Sequence, residues 1–314
     1  MTTGLLSAVE KIDRTFILIF AVAFGILVLI TGIMIFFTIR YRRARHPEPV
    51  PIGGHWLLEV VWTAIPTLIV LILFGYGWDA YQALRNGPKD AMQVKVVARQ
   101  FSWSFEYSNG RTDPTLIVPV GRPVQLTLTS LDVIHGLFLP AFRLKRDVVP
   151  GMSSKAWLTP DAEGCFEIFC SQYCGTKHFA MRTELLIVSN ALFEAWYAGK
   201  VGSDDLLAGV HYREWAATPP GLRVLKKYGC VNCHSMDGSR DVGPTFKGLF
   251  GREVFVLHQG RREKMTADAD YIRRAIVAPR VDIVVGYDAL MSPYELSTNE
   301  MAEVMGYFRE MGAQ

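Results

Sequence analysis

Hydrophobic positions along this chain change their spacing several times, and each change marks a different kind of element. Residues 15–39 form a run of 25 residues without a charge. About 20 apolar residues suffice to cross the hydrocarbon of a bilayer, so this run predicts a transmembrane helix. A cleaved signal peptide would have a shorter apolar stretch and a small-residue cleavage site; here the flank is Arg40-Tyr41-Arg42-Arg43-Ala44-Arg45. A second apolar run, 57–78, is interrupted only by Glu59 and Pro66 and predicts a second span. Together they make a transmembrane hairpin. The four arginines between the spans place that loop in the cytoplasm, with both termini and everything after residue 78 on the outer face.

From residue 79 the pattern shortens. Runs at 94–98, 124–129, 155–158, 165–169 and 184–188 read as strands, separated by turn signals such as Asn86-Gly87-Pro88, Asn109-Gly110 and Gly121-Arg122-Pro123. Regular short strands with this punctuation predict an all-β sandwich or barrel over 79–198. Residues 199–218 read as a linker, carrying Gly202-Ser203-Asp204-Asp205 and leading to Pro219-Pro220. Helical spacing returns in 219–314. There Ser297-Thr298-Asn299-Glu300 has the form of a capping box, and Met301, Val304, Met305 and Phe308 follow at core spacing.

Composition narrows the classes. Half of the 314 residues are hydrophobic, which excludes a disordered chain, and 33 basic against 30 acidic residues give no electrostatic case for nucleic acid. Five cysteines are too few for a disulfide scaffold, so each is read by its spacing.

Two cysteines belong to Cys170-Ser171-Gln172-Tyr173-Cys174-Gly175-Thr176-Lys177-His178-Phe179-Ala180-Met181, with His135 upstream. Thiolate, imidazole and thioether donors together favour copper over magnesium or calcium. A structural zinc site built from Cys170, Cys174, His178 and His135 is the competing assignment, and a disulfide between the two cysteines is a weaker one. Cys165 reads as a small buried hydrophobe.

These residues resemble subunit II of cytochrome c oxidase. The resemblance runs from about residue 10 to 198 and includes Leu58-Glu59-Val60-Val61-Trp62 in the second span, Lys145-Arg146-Asp147-Val148-Val149-Pro150-Gly151, and the cysteine loop. It implies a cupredoxin domain holding a dinuclear CuA centre. Cys170 and Cys174 would bridge the coppers, His135 and His178 would be terminal ligands, and Met181 and the Gln172 carbonyl would complete the set. Gln172 stands where most members have a glutamate whose side chain touches a magnesium ion at the boundary with subunit I, which puts that ion in doubt. In Gln100-Phe101-Ser102-Trp103, Phe101 occupies the place of the family's electron-receiving tryptophan, and Trp103 keeps a second aromatic position. The resemblance also puts Glu59 at the cytoplasmic mouth of a proton path, where a merely solvated interfacial carboxylate is the alternative. It turns the segment 143–147 toward subunit I, where an ordinary charged loop is the alternative.

Further on, Cys230-Val231-Asn232-Cys233-His234 is the c-type haem attachment motif, with His234 as proximal ligand. Among Met236, Met265, Met291, Met301 and Met305, the sixth ligand is best placed at Met291, in an irregular stretch ahead of the last helix. His258 reads as a surface or packing residue. Residues 219–314 resemble an all-α class I cytochrome c.

The expected molecule is therefore a multidomain membrane protein: hairpin (1–78), CuA cupredoxin (79–198), linker and cytochrome c. The resemblance extends to subunit II of caa-type oxidases, in the bacterial inner membrane with both redox domains on the periplasmic face. It implies haem-copper subunit I and the other oxidase subunits as partners, with cytochrome c or another membrane carrier as donor. Residues 79–198 carry 12 basic and 11 acidic residues, so no acidic excess recruits a basic donor. A flexible linker of about 20 residues, spanning roughly 25 Å, would instead keep the tethered cytochrome close. Two other classes fit parts of the pattern: a CuA-bearing subunit of a nitric oxide reductase, and a membrane-anchored metal-binding or thiol-redox protein. A quinol oxidase subunit is disfavoured because that branch lacks the copper ligands.

Overall fold

The structure is a computed structural model that describes residues 8–48, 51, 53–210 and 217–312. The chain divides into two compact units, Met1–Pro88 and Lys89–Gln314.

The first unit is a pair of helices, α1 (Ala8–Arg40) and α2 (Trp56–Arg85), each long and apolar enough to cross a membrane. Their large side chains are exposed along nearly the whole length, an arrangement suited to lipid. At one end Thr15 is buried between them, its hydroxyl donating to the Lys11 carbonyl at 2.8 Å and lying 3.5 Å from that of Tyr76. Lys11 pairs with Asp79 at 3.0 Å beside it. The apolar run ends at residue 78, but α2 continues to Arg85. Ala80, Gln82, Ala83, Leu84 and Arg85 are good helix formers, and Arg85 complements the C-terminal end of the helix dipole.

The second unit opens with two five-stranded sheets. One has the order β3-β2-β1-β5-β8, from Thr112–Asp113, Ser102–Tyr107, Met92–Arg99, Val124–Ser130 and Ser154–Leu158. The other has the order β4-β10-β9-β6-β7, from Leu116–Pro119, Arg182–Val188, Gly164–Cys170, His135–Leu139 and Leu144–Val148. Strict alternation along β5 buries Val124, Leu126, Leu128 and Ser130, the period-two signature of a sheet with one covered face. Between the sheets lie Phe105, Leu126, Leu128, Leu137 and Ile168, all inaccessible to solvent. Tyr107 is buried there with its hydroxyl satisfied twice: it donates to the Ile117 carbonyl at 2.9 Å and accepts from the Ile117 N–H at 2.8 Å. Helix α3 (Asn190–Tyr197), capped by Ser189, seats Phe193 and Trp196 on the same core.

Two expectations for the rest of the unit need correction. The flexible linker of 199–218 contains helix α4 (Ser203–Val210), whose Leu206 and Leu207 join the sandwich core. Asp205 starts it by accepting from the Gly202 N–H at 3.1 Å, so residues that read as loop punctuation are a helix cap. Nor is the C-terminal region all-α. Helices α5 (Pro220–Lys227), α6 (Ala269–Val277) and α7 (Thr298–Gly312) share it with a sheet of order β12-β11-β13, from Arg261–Thr266, Glu253–His258 and Asp282–Val284. Val254 and Val256 alternate inward on β11, and Gln259-Gly260, both at positive φ, turn the chain into β12. The capping box of α7 closes in both directions: Glu300 Oε2 accepts from the Ser297 N–H at 2.9 Å, and the Glu300 N–H donates to Ser297 Oγ at 3.3 Å. Met301, Val304, Met305 and Phe308 are buried as their spacing predicts.

Between the sandwich and the C-terminal region runs a buried ionic cluster. Lys227 lies 2.9 Å from Glu300, 3.4 Å from Asp204 and 3.0 Å from Ser203 Oγ, with only 6 % of its side chain exposed. Burial works against its charge, but Asp113, Asp204 and Glu300 outweigh burial and hold its pKa above the ordinary lysine value. Burial alone pushes Asp113 upward more than its partners pull it down.

Candidate metal centre and C-terminal crevice

Strand pairing assembles the first cluster. His135 opens β6 and Cys170 closes β9; these strands are neighbours, with Leu137 opposite Cys170. The loop from β9 to β10 then carries Gln172, Cys174, His178 and Met181. Cys170 Sγ lies 3.9 Å from His135 Nδ1, 3.2 Å from the Gln172 carbonyl oxygen and 3.9 Å from Cys174 Sγ. Cys174 Sγ lies 3.6 Å from His178 Nδ1 and 3.8 Å from Met181 Sδ. Both cysteines are free thiols, so no disulfide joins them. The sequence-predicted donors are thus brought together, and those of His135, Cys170 and Cys174 fall within 4.8 Å of one another.

Electrostatics prepare the cluster for a cation. The Cys174 thiol, then the His135 ring and backbone N–H groups, draw the Cys170 pKa well below the ordinary thiol value against the effect of burial. The pair shares one proton, which raises Cys174. Asp132 Oδ1 lies 2.8 Å from His135 Nε2, which turns Nδ1 toward the sulfurs and fixes the ring. Burial alone would raise the Asp132 pKa; hydrogen bonds from His135 and from the Gln100 and Val133 N–H groups outweigh it and hold the carboxyl below its usual range.

The donor chemistry separates two metals. Tetrahedral zinc would use two sulfurs and two imidazoles, leaving the buried Met181 thioether and the Gln172 carbonyl idle beside them. Six donors that include two thiol sulfurs and a thioether suit copper better than a single zinc.

The second cluster lies in the C-terminal region. Cys230, Cys233, His234 and Met291 line one crevice with Leu225, Phe246, Ile272 and Phe308 among its apolar walls. His234 Nδ1 lies 2.6 Å from the Pro244 carbonyl oxygen, to which its N–H donates, leaving Nε2 as the lone-pair nitrogen. Its ring stacks on Phe246 at 4.5 Å between centroids, and burial lowers its pKa. A Cβ on Gly243 would come within 2.5 Å of that ring, so only glycine fits there. Burial pushes Cys230 up to about 12 and Cys233 up to about 11, so both are neutral thiols. Met236, Met265, Met301 and Met305 do not line the crevice; Met265 packs at its sheet and accepts from Arg274 at 3.8 Å.

The remaining candidates fall in different places. Phe101 and Trp103 are buried, Phe101 in the wall of the crevice and Trp103 with its ring edge toward His135 at 6.2 Å. Glu59 is exposed in the first turn of α2, beside Thr63 on the same helix face. Cys165 is half-buried, and burial with the nearby Glu184 carboxylate raises its thiol to about 12. His258 is held by Asp282 at 2.6 Å, and Asp282 is held in turn by Arg274. Sequence reasoning missed Asp132, although its place three residues before His135 was a usable signal. It also missed the seam between the clusters: Lys177 pairs with Asp241 at 2.7 Å, Arg99 donates to the Pro293 carbonyl at 2.8 Å, and Asn232 donates to the Ala180 carbonyl at 3.2 Å.

A two-helix anchor, a β-sandwich and a thiol-rich loop with facing histidine define a membrane-anchored cupredoxin. Residues 4–77 match the family model described as cytochrome c oxidase subunit II, transmembrane domain, and residues 109–188 match its periplasmic domain. The chain belongs to the cytochrome c oxidase subunit II family, for which a CuA copper site is implied. It is 28 % identical to cytochrome c oxidase subunit 2 of Alkalihalophilus pseudofirmus, over 91 % of this chain and 83 % of that one. The corresponding protein of Thermostichus vulcanus is 29 % identical over 59 % of this chain and 73 % of its own. Among solved structures, the periplasmic domain of subunit II of cytochrome oxidase from Bradyrhizobium japonicum is 29 % identical, with a TM-score of 0.34, covering 35 % of this chain and 94 % of that one.

Proposed function

We propose that this chain is the electron-relay subunit II of a proton-pumping haem-copper terminal oxidase, with a covalent haem c in the C-terminal crevice and dinuclear CuA in the loop cluster. Each group, when bound, would accept and release one electron at a time, and oxygen would be reduced on subunit I, a separate chain. The observation that carries the reading is the paired donor set: two unlinked sulfurs 3.9 Å apart, ringed by His135, His178, Met181 and the Gln172 carbonyl.

The chain's own residues then have distinct tasks. Strands β6 and β9 fix the two sides of the copper cluster from a sheet, so the donors need little rearrangement between charge states. Met181 and Leu137 exclude water from its inner side. In the crevice, Cys230 and Cys233 would supply the thiols for attachment, and His234, oriented by the Pro244 carbonyl, would hold the iron together with the Met291 thioether. The relative from Alkalihalophilus pseudofirmus supports a shared C-terminal region, because its match covers 91 % of this chain whereas the family models stop at residue 188.

The donor is cytochrome c or another membrane carrier, and the setting is the bacterial inner membrane with residues beyond α2 on the periplasmic face. Glu59 would sit at the mouth of a proton path into subunit I, and the exposed Lys145, Arg146 and Asp147 of β7 would face that subunit. Gln172 offers an amide where a carboxylate would hold magnesium, so no tightly bound magnesium is expected. The test is metal and optical analysis of the full chain, matured with copper and haem. Two coppers per chain with an electron shared over both nuclei, and a c-type spectrum that survives denaturation, support the reading. One zinc without copper would sink it.

A further inference from the structure

The segment between β1 and β2 stands between the two clusters, and one of its residues touches both. Gln100 and Phe101 line the C-terminal crevice together with Cys230, Cys233 and His234. The side-chain amide of Gln100 donates from Nε2 to the carbonyl of Cys174 at 2.5 Å. Its backbone N–H donates to Asp132 Oδ2 at 2.7 Å, and the other oxygen of that carboxylate lies 2.8 Å from His135 Nε2. Gln100 thus reaches one sulfur-bearing residue of the metal cluster directly and one imidazole through a single carboxylate.

The surroundings hold it there. Gly175, at φ +133°, follows Cys174, and a Cβ at that position would come 2.9 Å from Gln100 Nε2 and 3.0 Å from Phe101 Cζ. The loop can therefore lie on Gln100-Phe101 only with glycine at 175. On either side of the pair, Arg99 lies over the Tyr294 ring at 4.4 Å and Ser102 Oγ is 2.9 Å from Tyr294 Oη. Tyr294 is three residues beyond Met291, so the crevice rim grips both flanks of Gln100.

We propose that Gln100 is a positioning residue that couples the crevice to the metal centre, holding the Cys174 carbonyl with its side chain and the His135 ring through Asp132 with its backbone. From crevice wall to thiolate residue, the connection is one side chain and one hydrogen bond. Partners of this outer kind fix ligand orientation, and removing one costs about 10- to 100-fold in metal affinity. The proposal rests on the copper and haem reading given above.

The test uses the full chain in detergent, loaded with copper and haem, in Gln100→Met and Gln100→Glu forms. Methionine keeps the packing and loses the donor; glutamate keeps the shape and sets a carboxylate against the Cys174 carbonyl. Ser102→Ala is the control, since it loosens the seam without touching the cluster. The expected result is copper affinity about tenfold lower or worse in both Gln100 variants, with a shifted copper–thiolate absorption band and an unchanged haem spectrum. Ser102→Ala should keep the wild-type affinity and band. Wild-type copper affinity and band in either Gln100 variant would overturn the proposal, as would equal losses in Ser102→Ala. A wild-type chain that takes up haem and no copper would overturn the functional reading and the positioning role together.

Discussion

The two clusters of the second unit are held in opposite ways. At the metal centre the donors are polar atoms fixed by a sheet: His135 and Cys170 sit on paired strands, and the loop between β9 and β10 returns to the same sheet. At the crevice the functional residues come from a short turn with the residues just after it and from the irregular stretch 285–297, and the walls are apolar side chains. A cage of donors on strands needs only an ion to complete it. An apolar envelope assembled from segments distant in sequence depends on whatever large apolar group fills it. The two sites should therefore respond unequally to loss of their cofactors.

The largest expected effects break one site and spare the other. Cys230→Ser together with Cys233→Ser should abolish covalent haem attachment, seen as haem extracted by acid acetone, while the chain still takes up copper. Proteolysis should then cut first within 219–312. Conversely, Cys170→Ser should abolish the shared-electron copper signal and leave both the haem spectrum and the protease pattern as they were. A smaller change targets the seam. Lys227→Met leaves Asp113, Asp204 and Glu300 without their buried cation, which should cost about 3–5 kcal/mol in a denaturant melt.

Acid sharpens the same contrast. Burial would raise the Glu300 pKa, but Lys227 and the capping box hold it below the ordinary glutamate value of 4.5. Its contribution is therefore present above pH 4.5 and lost as pH falls toward and through its folded pKa. Helix α7 should lose amide protection before the sandwich strands over that acid range, read by hydrogen exchange. The smallest effect belongs to Cys165→Ala, at most about 1 kcal/mol and without change in the copper spectrum, because the thiol is half-buried and lies outside the donor cluster.

Much of this was legible in the chain because the signals were local. The span of 15–39, the alternation of 124–129, the box at Ser297–Glu300 and the fixed spacings of Cys170/Cys174 and Cys230/Cys233/His234 each need only a short window. Contacts set by strand register were out of reach: Gln100 meets Cys174 across 74 residues and Asp132 across 32. Residues 203–210 misled because Gly202-Ser203-Asp204-Asp205 has the composition of a loop, while Leu206 and Leu207 find a core that the sandwich supplies. The hairpin at 253–266 was overlooked for another reason. Its alternation and its Gln259-Gly260 turn were present, but the haem motif imposed an all-helical frame on them.

With haem and copper bound as proposed, electrons would cross from crevice to metal centre inside one compact unit, through a seam that is already closed. The direct measurement is the rate of electron transfer from haem to copper in the loaded full chain after rapid photoreduction of the haem. It should be followed against protein concentration and against salt from about 0.01 to 1 M, where the screening length shrinks from about 30 to 3 Å. A first-order rate independent of both is predicted, because Lys177–Asp241, Arg99–Tyr294 and Gln100–Cys174 hold the partners together throughout. A rate that falls with dilution or collapses with salt would contradict the account.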